Sequence, residues 1–120
     1  MSYQEYRNDL NRCQQLIAHH TGVQPRFHRP PRGQLTIPTL LAPIGLGLTT
    51  MTWSCSAEDW RFRSDSAAIA RADEMISEVR PRDVLLFHDE RSHTLLALDR
   101  LLPALRSRGF SLCPSLEHAL

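Results

Sequence analysis

Val84, Leu85, Leu86 and Phe87 form an unbroken apolar run. A strand with one wet face alternates apolar and polar residues. An unbroken run of this length suits a strand covered on both faces, as in a parallel sheet. Helical periods flank it. Ile69, Ala72, Ile76 and Val79 recur at helical spacing before the run and mark a helix over 65–79, closed by Arg80 and Pro81. Leu95, Leu98, Leu102 and Leu105 do the same after it, ending at Gly109, with Pro103 expected to kink or divide the helix. Helix, buried strand and helix in succession is the pattern of an α/β fold with parallel strands.

The rest of the chain continues the alternation. Ser2 followed by Glu5 fits a capping box, and Tyr6, Leu10, Cys13 and Ile17 share one helical face, so residues 3–20 read as an amphipathic helix stopped by Gly22. "VQPRFHRPPRGQ" reads as an extended piece ending in a rigid loop. Residues 34–42 read as a short helix with Pro38 near its start, 46–53 as a strand, and "SAEDWRFRSDS" as a polar loop. Residues 110–113 read as a last short strand and 114–120 as a tail or final turn. The expected architecture is a single domain over 1–120, with about four parallel strands alternating with helices.

Composition narrows the function classes. A net charge of +1 gives no electrostatic case for nucleic acid or an anionic membrane. No stretch approaches the apolar length of a membrane span, and the polar "MSYQEYRNDL" is not a signal peptide, so the chain as given is expected in the cytoplasm. Cys13, Cys55 and Cys113 are far apart and form no CxxC pair, so buried thiols are expected, with a single disulfide and one spare as the alternative. His19, His20, His28, His93 and His118 show no metal-ligand spacing.

Three loops carry chemistry-bearing residues, and each has a plain structural reading beside the functional one. In "FHRPPRG", Arg29 beside two prolines suits a grip on a carboxylate, or is a solvated arginine in a tight loop. In "TWSCSAEDW", Trp53 and Trp60 flank Glu58 and Asp59. Aromatics beside carboxylates suit a sugar site, or both indoles are packing. "LLFHDE" ends a strand at His88, where ligands gather in parallel α/β folds. Histidine suits proton transfer near neutral pH, or here it only marks the strand's polar end.

Taken in order, these loops resemble the C-terminal part of the polysaccharide deacetylase family, the NodB homology domain or family-four carbohydrate esterases. The resemblance covers nearly the whole chain. "FHRPPRG" is similar to the family's third motif, Arg-x-Pro-x-Gly, through Arg29, Pro31 and Gly33; "SAEDW" to the fourth, Asp-x-x-Asp-Trp; and "LLFHD" to the fifth, Leu-x-His. "SYQEYRNDLNRCQQLIAHHTG" resembles the helix before the third motif, and "LLPALRSRGFSL" the closing helix and strand. The resemblance implies a partial (β/α) barrel that acts in removing N- or O-acetyl groups from glycans such as chitin oligomers, peptidoglycan or xylan. It implies His88 as general acid, Arg29 as an orienting residue, Asp59 as the acidic partner of Arg29, and Trp60 and Leu86 as acetyl-pocket walls. Trp53 is a candidate stacking surface for substrate from its place in "TWSCSAEDW", not from the resemblance.

The family's metal, often zinc, is held by one Asp and two His. The base-bearing Thr-Phe-Asp-Asp-Gly-Pro type stretch and the His-Ser/Thr-x-x-His stretch do not occur in the sequence, and Ser56 stands where the fourth motif opens with Asp. No cofactor is therefore expected in this chain, and no deacetylase activity from these 120 residues alone. The alternatives are a non-catalytic glycan-binding module and an interaction protein. A half barrel leaves a sheet edge open to a second copy or to the missing N-terminal half.

Overall fold

The computed structural model describes residues 1–112. The chain divides into two compact units, Met1–Thr52 and one that begins at Trp53.

The first unit opens with α1, Tyr3–Thr21. Its capping box is reciprocal: the Ser2 amide donates to Glu5 Oε2 at 2.7 Å and the Glu5 amide to Ser2 Oγ at 3.3 Å. Gly22 stops the helix in the left-handed region, φ 72°, where its amide reaches the Ala18 carbonyl. The contact face differs from the one expected. No residue of α1 is buried, and the half-buried ones include Tyr6, Leu10, Gln14 and Ala18, while Cys13 and Ile17 are exposed. Steps of four follow a ridge inclined to the helix axis, whereas the 4-3-4 steps read from the sequence run along it. This also corrects the buried-thiol expectation for Cys13; Cys55 is half-buried, both are free, and Cys113 lies outside the described residues.

β1, Phe27–His28, pairs in parallel with β2, Thr49–Thr50, with His28 opposite Thr50. Between them the Pro31–Gly33 turn carries Arg32 at φ 56°, and α2 spans Ile37–Ile44 rather than 34–42. The shift is set by Thr36 and Thr39, each of whose amides bonds the other's hydroxyl. The strand expected over 46–53 shrinks to β2, because Gly45 to Gly47 are still closing α2, and the Leu48 amide bonds the Pro43 carbonyl.

In the second unit β3, Cys55–Ser56, runs parallel to β4, Leu85–Leu86, in the register Cys55 to Leu85 and Ser56 to Leu86. β3 falls partly inside the stretch expected to be a polar loop. α3, Asp65–Glu78, is capped by Ser64, whose hydroxyl accepts from the Ala67 amide at 3.2 Å. α4, Ser92–Ser107, runs unbroken through Pro103. Its buried face is Thr94, Ala97, Leu101 and Leu105, not the leucine stripe expected, and Leu95 is 65% exposed. Small residues decide this: Ala97 faces a core that includes Ala68 and Ala72 of α3, and short side chains allow close helix approach. Phe62, Met75, Val79, Leu101 and Leu105 fill the rest of that core. Residues 110–112 form no strand, correcting that expectation; Cys113 and the expected tail at 114–120 lie outside the described residues.

Candidate functional site

Because β3 and β4 are parallel and in register, the segments leaving their carboxyl ends start side by side. The Ala57 amide still bonds the Leu86 carbonyl at 3.1 Å. Then Glu58 takes φ 51°, a left-handed conformation that a side chain rarely adopts without a compensating demand. The demand is the next residue. The turn sends Asp59 into the interior, where it is fully buried, and starts a 3-10 turn over Asp59–Arg61.

Three donors meet the buried carboxylate. Asp59 Oδ1 lies 2.7 Å from His88 Nδ1. Asp59 Oδ2 accepts the His88 backbone amide at 2.6 Å and the Thr94 hydroxyl at 2.7 Å. Burial alone would raise this carboxyl's pKa. The His88 ring, the His88 amide and the Thr94 hydroxyl, helped by the His88 charge, outweigh burial and hold it below the usual aspartate value. A carboxylate accepts only, so His88 Nδ1 donates and Nε2 is left for other partners. The His88 side chain is 41% exposed, so that second nitrogen belongs to a ring that solvent or a ligand reaches.

The other expected site residues divide between the units. Leu86 is buried just before His88, and Trp53 is half-buried. Trp60 is 54% exposed, with the Arg61 guanidinium 5.4 Å from its ring centre and paired to Glu58 at 2.8 Å. An open cavity of about 390 Å³ adjoins His88, walled by Phe87, Leu95 and Leu98 and rimmed by Glu90 and Arg91. Arg29 is exposed in the first unit, after β1. Thr94 is the site residue that sequence reading missed. A threonine in the first turn of an amphipathic helix carries no motif, and its only signal is polarity on a stripe otherwise apolar.

Among the described residues no group of three or more His, Cys, Asp or Glu side chains is placed to hold a metal ion, and no helix is long and apolar enough to cross a membrane.

No protein-family model matches the chain. Curated relatives do. The bifunctional xylanase/xylan deacetylase of Cellvibrio japonicus is 34% identical over 114 residues, 94% of this chain and 16% of that protein. The peptidoglycan-N-acetylglucosamine deacetylase of Bacillus cereus is 29% identical over 115 residues, 88% of this chain and 41% of that protein. The family 4 carbohydrate esterase from Streptomyces lividans, solved in complex with acetate, superposes with a TM-score of 0.80 at 27% identity, over 99% of this chain and 60% of that one. The chain thus spans well under half the length of these two curated relatives.

Proposed function

From the premise that this chain belongs to the polysaccharide deacetylase family and carries part of its (β/α)-barrel fold, we propose that it supplies the proton-donating side of a glycan deacetylation site. The observation that carries this reading is the 2.7 Å contact between His88 Nδ1 and the buried Asp59. Hydrolysis of an acetamide or acetate ester ends when the tetrahedral intermediate expels its amine or alcohol. That leaving group takes up a proton as its bond to the acetyl carbon breaks. His88 Nε2 gives that proton. Asp59 holds the ring in one orientation through Nδ1, as the third member of a triad does.

We assign Asp59 to His88 because three of its roughly four acceptor positions are filled within its own unit. Arg29 keeps the orienting role that the resemblance implies, while Leu86 walls the acetyl group, and Trp60 and Trp53 offer ring faces to a sugar. The two units are taken as pieces of one deacetylase-type domain. The substrates are acetylated glycans of the kinds that the relatives' names describe, xylan and peptidoglycan N-acetylglucosamine.

Family deacetylases depend on a metal, in the resemblance a divalent ion such as zinc, that polarises the acetyl carbonyl and activates water. The described residues of this chain do not fit such an ion. What they offer is proton donation and binding. A second reading, glycan binding without catalysis, is favoured by the exposure of Trp60. The described strands pair only two by two, and a half barrel of this kind would offer a sheet edge to a second copy or a further barrel segment.

Tryptophan fluorescence titrated with acetylated chitin and xylan oligomers tests the reading. Saturable change that disappears in Trp60→Ala supports a glycan site; flat emission with every oligomer overturns it.

A further inference from the structure

Asp59 has three donors, and the sequence motifs account for two of them, both from His88. The third is Thr94, which lies outside those motifs and on a different element, α4. A carboxylate turns easily about its last torsion, so two donors from one residue leave it free to rock with that residue. A donor from a second element removes that freedom. Thr94 suits the task. It is buried, its branched side chain is stiff, and its amide bonds the Arg91 carbonyl at 3.2 Å, which places it in the first turn of α4. Among the described residues no side chain caps that turn, and α4 carries no acidic residue of its own there. The anionic Asp59, reached through the Thr94 hydroxyl, stands at the positive end of the helix.

We propose that Thr94 is a positioning residue for proton transfer at His88: its hydroxyl locks Asp59, and Asp59 in turn keeps the proton on His88 Nδ1 and leaves Nε2 as the exchanging atom. Thr94 touches neither substrate nor reacting atoms. The inference rests on the proton-donating role assigned to His88, and it extends that role to a residue that is linked to the imidazole through a shared carboxylate.

The ring nitrogen shifts of His88, read by NMR on the full chain, test it without any glycan. In the wild type, the neutral ring is expected as the Nδ1–H tautomer. Thr94→Val keeps the shape and removes the hydroxyl, and it is expected to raise the Nε2–H share several-fold while amide dispersion shows an intact fold. Thr94→Ser keeps the hydroxyl and is expected to retain the wild-type tautomer. A wild-type ring found mainly as Nε2–H overturns the proposal. So does a folded valine variant with the wild-type tautomer, or a serine variant that has lost it, since methyl packing would then be the operative feature. If the valine variant does not fold, the wild-type and serine measurements still decide. Failure of glycan binding would leave these readouts untouched, and independence from Thr94 would leave any glycan response of His88 untouched.

Discussion

Asp59 Oδ1 and His88 Nδ1 stand 2.7 Å apart, with the carboxylate fully buried and the imidazole 41% exposed. The pair thus has a dry end and a wet end. Removing the dry end strands two donors, the part-buried His88 amide and the buried Thr94 hydroxyl. Asp59→Ala is expected to destabilise the second unit by about 3–5 kcal/mol. Asp59→Asn keeps the shape and is expected to cost less. Urea unfolding followed by circular dichroism checks both.

The depressed pKa of Asp59 has a definite pH consequence. Its folded value lies below its unfolded value, so the unfolded chain binds more protons as pH falls through that window. The stabilisation is fully present above the unfolded value, near pH 4, and is lost as pH falls through the folded one. Urea midpoints from pH 6 down to pH 2 are expected to show this loss, and Asp59→Asn is expected to flatten it.

In the first unit, His28 is buried with Nε2 2.8 Å from the Tyr6 hydroxyl, and its Nδ1 has no hydrogen-bond partner among the described residues. Burial lowers the His28 pKa. Its contribution is therefore complete above about pH 6.5, the unfolded value, and is lost as pH falls through the lower folded value. Tyr6→Phe leaves both ring nitrogens unsatisfied and is expected to cost about 1–3 kcal/mol. Amide hydrogen exchange in α1 is expected to rise in that variant.

Glu58 holds φ 51° immediately before Asp59. Asparagine tolerates that region, so Glu58→Asn is expected to be close to neutral. A β-branched residue does not, and Glu58→Val is expected to cost about 1–2 kcal/mol or more. Thermal unfolding of the two variants side by side gives the comparison.

Some of this was legible in the sequence because it is local. The capping box of Ser2 and Glu5 and the glycine stop at Gly22 placed α1 within a residue of its observed ends. The helix read over 65–79 was observed over Asp65–Glu78 for the same reason. Features that depend on a neighbour were not legible. Leu95 and Leu98 look like core by hydropathy, yet Thr94 and Ala97 are buried, because a closely packed face favours small residues. Each described strand is two residues long, and no periodicity is visible over two residues. At the site, motif order brought out His88, Asp59 and Trp60. The assignment of Asp59 to His88 and Thr94 needed the left-handed turn at Glu58, which no residue type there announces.

The role proposed for His88 requires Nε2, on a ring 41% exposed, to face the glycan. Its most direct test is to follow the His88 ring resonances by NMR while adding N-acetylated chitin oligomers to the full chain, with Asp59→Asn alongside. We expect a saturable shift at His88 Nε2 together with a change at the Trp60 indole, both weakened in the variant. Saturable glycan binding that leaves the His88 ring unmoved would contradict the account.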